Sequence, residues 1–251
     1  MHGAAAIAEI LKKEGVEFLA AYPQSHLIDA CAKVGIRPVL CRQERVGMGI
    51  ADGFSRTTAG KRPAVFAMQH GPGAENAFGA AAQVFSDNVP ILLIPGGERS
   101  ERGGTSPIFS PVANYGNVTK WLARVDHGGR IPFLMSHAFY QMRSGKPGPV
   151  LLEVPHEVWM TEIEGDLEYT SLKGNKTAPA PDEVREIAAV LLRADRPVIH
   201  AGQGCLYAEA REELIEISGL LKAPVMTTMP GKSAFPEDHP LSLGAATGSA
   251  P

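Results

Sequence analysis

The chain has 251 residues, with 24 Lys and Arg against 27 Asp and Glu for a net charge of -3. Apolar residues at 44% and charged residues at 20% are the make-up of a globular chain, long enough to bury a core without disulfide or metal staples, and exclude the disordered class. No basic block points to nucleic acid, and no apolar run approaches the ~20 residues of a membrane span.

Three cysteines, Cys31, Cys41 and Cys205, are odd in number and lack metal-ligand spacing. They read as reduced, mostly buried thiols of a cytoplasmic protein. The opening MHGAAAIAEILKKEGVEF is broken by charge before a signal-like apolar segment could form.

In chain order, apolar spacing predicts a helix over 4–13, a buried strand over 16–21 and a helix from Ser25 to about Val34, with a strand at 38–41. Residues 44–58 read as a helix rich in small residues. Its glycines Gly47, Gly49 and Gly53 oppose helix propensity at roughly 1 kcal/mol each, so close packing or a ligand is expected there. A strand over 63–69, a tight turn from His70 to Gly73 and a helix over 74–85 follow. The run PILLIP at 90–95 is continuously apolar, the pattern of a strand covered on both faces. Residues 96–116 carry no periodicity, and a structureless stretch of that length is usually functional. A helix near 131–143 and a strand near 149–154 complete a first domain over 1–160. The economical reading is α/β, an open parallel sheet with helices on both faces.

Residues 161–181 are polar and read as a linker. The pattern restarts with a helix at 182–193, strands at 197–201 and 224–227, and a helix at 208–221 between them. This is one and a half βαβ repeats, an incomplete Rossmann-like α/β domain over 182–251. Ala201-Gly202-Gln203-Gly204 resembles half of a dinucleotide turn. The third glycine and the distant acidic residue are missing, which argues against NAD.

Three segments concentrate chemistry at the carboxyl ends of predicted parallel strands, where ligands of open α/β sheets bind. They are Tyr22-Pro23-Gln24-Ser25, the stretch Arg42-Gln43-Glu44-Arg45-Val46-Gly47, and His70-Gly71-Pro72-Gly73-Ala74-Glu75-Asn76 followed by Asp87-Asn88-Val89-Pro90. Read singly, Glu44 is a helix-start glutamate favoured by the helix dipole, Ser25 a helix cap, His70 a turn histidine and Asn76 a group satisfying backbone. The glycines of Gly71-Pro72-Gly73 let backbone approach a flat ring.

Together these segments resemble the pyrimidine-binding domain of thiamine-diphosphate-dependent enzymes, the superfamily of acetolactate synthase, benzoylformate decarboxylase, oxalyl-CoA decarboxylase and 2-hydroxyacyl-CoA lyase. The resemblance continues through Ser144-Gly145-Lys146-Pro147-Gly148-Pro149 and Glu153-Val154-Pro155. It goes on through Thr227-Thr228 and Gly231-Lys232 to Phe235-Pro236-Glu237-Asp238-His239-Pro240, and so covers essentially the whole chain.

The resemblance implies that Glu44 is the catalytic residue, bonding the pyrimidine ring nitrogen of thiamine diphosphate and driving its activation. It implies that Pro23, Gln24, Gly71, Pro72, Gly73 and Asn76 bind the cofactor, and that Ser25 and His70 face the substrate. Relatives anchor the diphosphate and Mg2+ through a Gly-Asp-Gly segment on another domain. No such segment occurs here, so no metal ligand is expected in this chain. In the family the middle domain sometimes carries FAD or the ADP part of coenzyme A and more often is structural; the turn at 202–204 is assigned to structure.

The expected activity is decarboxylation of a 2-keto acid, or making or breaking a carbon–carbon bond beside a carbonyl, in a homodimer or homotetramer. Alternatives are an acyl-CoA lyase or decarboxylase, and a non-catalytic interaction protein retaining the fold. Phe109-Ser110-Pro111 stands where acetolactate synthases carry Phe-Gln-Glu.

Overall fold

A computed structural model describes residues 1–105, 107–175 and 177–245. The chain divides into two units, Met1–Lys176 and Thr177–Pro251.

The first unit alternates helix and strand: α1 Gly3–Lys13, β1 Phe18–Tyr22, α2 Ser25–Lys33, β2 Arg37–Leu40, α3 Glu44–Thr57, β3 Val65–Met68, α4 Pro72–Ser86 and β4 Leu92–Gly97. A short helix α5 (Pro111–Asn114), β5 Trp121–Arg124, α6 Ile131–Arg143, β6 Val150–Pro155 and α7 His156–Met160 follow. Six parallel strands form one sheet in the order β2-β1-β3-β4-β6-β5. The parallel α/β sheet expected from the alternation is therefore present. It gains an edge strand, β5, from a segment whose short, half-buried sequence gave no periodic signal.

Side chains alternate across each strand, so the apolar runs feed two cores. Leu19, Val65, Ala67, Leu92, Ile94, Leu152 and Val154 meet Ile7 and Leu11 of α1 and Met135 and Phe139 of α6. Ala20, Phe66, Met68, Leu93 and Leu151 meet Met48 and Ala51 of α3 and Ala77 and Ala81 of α4 on the other face. Covering both faces is why β3, β4 and β6 are buried at every position. Each fully buried Leu, Phe or Met contributes about 2–3 kcal/mol.

Strand order reverses between β1 and β3, because the chain leaves β1 towards β2 and then crosses back. Register keeps the carboxyl ends level: Tyr22 lies opposite Met68, Met68 opposite Pro95, and Gly97 opposite Pro155. The turns after β1, β3, β4 and β6 therefore reach one edge, at the switch point where such sheets bind ligands.

Residues 161–175, polar in composition, carry Ile163, Leu167 and Tyr169 against the α1–α6 core. The Tyr169 hydroxyl donates to the buried carboxylate of Glu14, which also meets Arg143 at 2.6 Å. In the second unit, α8 Pro181–Leu192, β7 Ile199–Ala201, α9 Gly204–Ala208, α10 Arg211–Leu221, β8 Val225–Thr227 and β9 Ser242–Ala245 succeed one another. The three strands pair in parallel as β7-β8-β9 over a small core of Ala201, Leu214, Val225 and Phe235. At the turn after β7, a Cβ on Gly231 would lie 2.8 Å from the Gly202 carbonyl carbon. The chain's own backbone thus closes onto that turn.

Of the three glycines of α3, only Gly47 answers to packing. A Cβ there would lie 2.3 Å from Phe66 Cε2 and 2.8 Å from Cys41 Sγ, whereas at Gly49 and Gly53 it would meet nothing within 4 Å. Gly47→Ala is expected to destabilise the chain by about 1–3 kcal/mol through overpacking. Gly49→Ala and Gly53→Ala are expected to leave stability unchanged or raise it by up to about 1 kcal/mol each. Urea titrations of the three variants separate these outcomes; equal losses would contradict the packing assignment.

Candidate active site

Glu44 opens α3 directly after the extended Gln43, in the first turn, where the helix dipole favours a carboxylate. It is only 5% exposed. Its Oε2 accepts a 2.6 Å hydrogen bond from Asn76 Nδ2 in the first turn and a half of α4. Oε1 accepts no hydrogen bond from a described residue. Gly73 stands beside it: a Cβ there would come within 3.1 Å of Glu44 Oε1 and 2.7 Å of Gln69 Cγ. Glycine is what lets the start of α4 close on the carboxylate.

The turn before α4 is built for this. Gly71 has φ +56°, a conformation glycine adopts without strain, and Pro72 supplies the fixed φ of the first helical position. The buried Tyr115 hydroxyl donates to the Ala74 carbonyl at 2.6 Å, and its ring meets Phe78 edge-on at 5.2 Å. That contact ties the first turn of α4 to the segment leading into β5.

A second group of residues faces a cavity of about 230 Å³ on the same edge. Pro23, Gln24, Ser25 and His70 line it, together with His26, Gln69, Gly96, Gly97, His156 and Trp159. Gln24 is buried and its Nε2 donates to the Met68 carbonyl at 3.5 Å, joining the ends of β1 and β3. A Cβ on Gly96 would lie 2.8 Å from that Nε2. His70 Nε2 lies 3.8 Å from Glu98 Oε2.

The expected site residues thus fall into two neighbouring sets. Glu44, Gly73 and Asn76 are in direct contact or close approach, with Gly71 and Pro72 setting the turn. Pro23, Gln24, Ser25 and His70 surround the cavity, and Gln69 belongs to both sets. Ser25 does not cap α2, since Gln24 occupies that position and no side chain caps the helix. Asn76 bonds a carboxylate rather than backbone. His26, Gln69, Gly96, Gly97, His156 and Trp159 escaped sequence reading. The available signals were two consecutive glycines in a buried strand and a histidine directly after the Glu153-Val154-Pro155 strand end.

Beside the cavity, an ion pair between the half-buried Arg124 and the buried Glu153 anchors the segment after β4. Arg124 Nη1 meets Glu153 Oε1 at 3.1 Å, and Arg124 Nη2 donates to the Glu98 carbonyl at 2.9 Å. Glu153 Oε2 accepts from Val112 N at 3.2 Å, and Glu157 Oε1 accepts from Ser100 N at 3.0 Å. Burial pushes the Glu153 carboxyl above the usual carboxylate range, against the pull of the Val112 amide and Arg124. Among the described residues, no group of three or more His, Cys, Asp or Glu side chains could hold a metal ion. No helix among them is long and apolar enough to cross a membrane.

The buried Glu44 carboxylate, braced by the Asn76 amide, thus lies beside a glycine turn at the carboxyl edge of the parallel sheet. The chain belongs to the thiamine-diphosphate-dependent enzyme superfamily. Residues 1–115 match the family described as thiamine pyrophosphate enzyme, N-terminal TPP binding domain, and residues 184–250 match the central domain of the same enzymes. It is 32% identical over 97% of its length to a probable acetolactate synthase large subunit of Methanocaldococcus jannaschii, of which it spans 43%. It is 31% identical over 94% of its length to glyoxylate carboligase of Escherichia coli O157:H7, of which it spans 41%. The crystal structure of benzoylformate decarboxylase from Polynucleobacter necessarius superposes with a TM-score of 0.84 at 25% identity, covering 98% of this chain and 47% of that one.

The raised Glu153 carboxyl carries a pH signature. A group whose folded pKa lies above its unfolded value contributes stability that is complete below the unfolded value and lost as pH rises through the folded one. Acidification from neutrality to just above the ordinary glutamate range is therefore expected to relieve part of the cost of burying this charge. Glu153→Gln keeps an acceptor for the Val112 amide and should abolish that component. Denaturant midpoints of both proteins across this range test it; an unchanged pH dependence in the variant would refute the assignment.

Proposed function

We propose that this chain supplies the pyrimidine half of a thiamine-diphosphate site, in an enzyme that decarboxylates 2-keto acids or makes and breaks carbon–carbon bonds next to a carbonyl. The observation that carries this reading is Glu44: a buried carboxylate with Oε2 braced by Asn76 and Oε1 without a hydrogen-bond partner among the described residues. The residues fit the group. Gly73 and Gly96 let backbone close on Glu44 and Gln69 and on Gln24 and His70 with no side chain between, and the Gly71 turn can present backbone to a flat ring. When bound, thiamine diphosphate supplies a nucleophilic carbon that adds to the substrate carbonyl and takes up its electrons as the bond breaks.

This chain's own part is to hold and move a proton. Glu44 Oε1 is the atom placed to share a proton with a ring nitrogen, while Asn76 fixes the rotation of the carboxylate so that the same oxygen always faces outward. Gln24 and Gly96 set the wall behind the ring, and Ser25 and His70 meet the substrate. The names of the relatives support an acetolactate synthase-like pattern. Phe109-Ser110-Pro111, in place of Phe-Gln-Glu, marks a difference in what the site accepts. Mg2+ and the diphosphate are assigned to residues outside this chain, and the working form to a cytoplasmic homodimer or homotetramer whose sites draw on more than one domain.

Two measurements test the reading. Calorimetry on the 251-residue chain should find weak thiamine-diphosphate binding that Mg2+ does not strengthen; tight, magnesium-dependent binding would place the anchor here instead. In the assembled, cofactor-loaded enzyme, Glu44→Gln should slow exchange of the cofactor's C2 proton by roughly 10²–10⁴. Cofactor affinity should fall far less. Equal exchange rates would reduce Glu44 to a helix-start glutamate.

A further inference from the structure

The cavity beside Glu44 is walled in an unusual way. Its lining side chains are amides, a hydroxyl, three imidazoles, glycines, Pro23 and Trp159, and none carries a fixed charge. Two of the imidazoles, His26 on α2 and His156 at the end of β6, meet edge to face with centroids 5.8 Å apart. Nothing in the thiamine-diphosphate reading uses them. Glu157, next to His156, has Oε1 engaged by the Ser100 amide, while its Oε2 is buried without a hydrogen-bond partner among the described residues. The start of α2 also lines the cavity, with no side-chain cap and no acidic residue in its first turn.

Each neutral imidazole keeps one N–H donor whichever tautomer it adopts. An aliphatic or aromatic tail entering this space would strip water from His26, His156 and Gln69 and return no hydrogen bond. That outcome costs more than leaving the cavity wet. A tail bearing oxygen acceptors would replace the lost water bonds, and a carboxylate would do so with charge-assisted ones. Volume sets the length: about 230 Å³ equals roughly eight waters at ~30 Å³ each, room for a four- or five-carbon acid.

Resting on the reading of Ser25 and His70 as substrate-facing, we infer that His26 and His156 select the substrate. The acid taken here is a short 2-oxo acid whose tail ends in oxygen acceptors, best matched by a second carboxylate. Its 2-oxo end lies towards His70 and its tail against the exposed edges of the paired imidazoles.

The test needs no cofactor. With ¹³C-labelled histidine in the full chain, the eight histidines give separable ring signals, and assignment follows from single substitutions. Titration with 2-oxoglutarate should shift the His26 and His156 signals saturably. 2-Oxopentanoate, equal in carbon number but lacking the tail carboxylate, should bind about tenfold more weakly. His26→Leu and His156→Leu should each erase most of that preference. His26→Gln, which retains a donor, should keep part of it and guards against loss of folding, which circular dichroism checks. Equal binding of the two acids, a preference that survives both leucine variants, or the same shifts produced by sulfate would overturn the inference. Failure of Glu44→Gln to slow C2 exchange would instead remove the cofactor reading and leave these shifts as they are.

Discussion

The contact between Glu44 and Asn76 is the interaction on which the candidate site depends. It joins the first turn of α3 to that of α4, two helices launched from opposite sides of the sheet's switch point. A buried carboxylate needs a donor, and Asn76 supplies it while leaving the second oxygen without a described partner. For that arrangement α3 must lie close to the sheet and to α4, which Gly47 permits against Phe66 of β3 and Gly73 permits against Glu44 itself. Glycine's cost in helix propensity is thus offset at Gly47 by a contact no other residue could make.

A second layer of polar contacts supports the same edge from the other end of the sheet. Arg124 and Glu153 sit on β5 and β6, and together they hold the Glu98 carbonyl and the Val112 amide. Glu98 in turn lies beside His70. The pair adds little net stability, because desolvation of Glu153 offsets the Coulombic gain from the half-exposed Arg124. Its geometric consequence is larger: the segment after β4, whose regular structure is limited to single helical turns at Ser100–Arg102, Pro111–Asn114 and Tyr115–Asn117, is fixed at several points. The aperiodic stretch of sequence is therefore ordered by tertiary contacts, with Tyr115 reaching back to the start of α4.

The second unit has a different balance. Its sheet has three described strands and its core four fully counted residues, while α8 buries none of its residues and exposes Val184 and Ile187. The turn after β7 resembles half of a dinucleotide turn in sequence, and Gly231 lies against it: a Cβ there would come 2.8 Å from the Gly202 carbonyl carbon. A Cβ on Gly202 or Gly204 would meet nothing within 4 Å, so close packing explains Gly231 and not the two glycines of the turn itself.

By itself the sequence determined the alternation of helix and strand, the parallel sheet and the clustering of Glu44, Gln24, His70 and Asn76 at one edge. Continuous apolar runs and Gly/Pro turns are local signals, and parallel connectivity sends every strand's carboxyl end the same way. Only the tertiary structure decided the rest. The edge strand β5 is half-buried and short, so its pattern is invisible until β6 pairs with it. Residues 163–169 look like a linker in composition because only three side chains do the packing. The division of the site into a Glu44 set and a histidine-walled cavity, and the meeting of His26 with His156 across 130 residues of sequence, follow from strand order. Strand order is set by which faces the helices cover, a long-range property that no window of sequence contains.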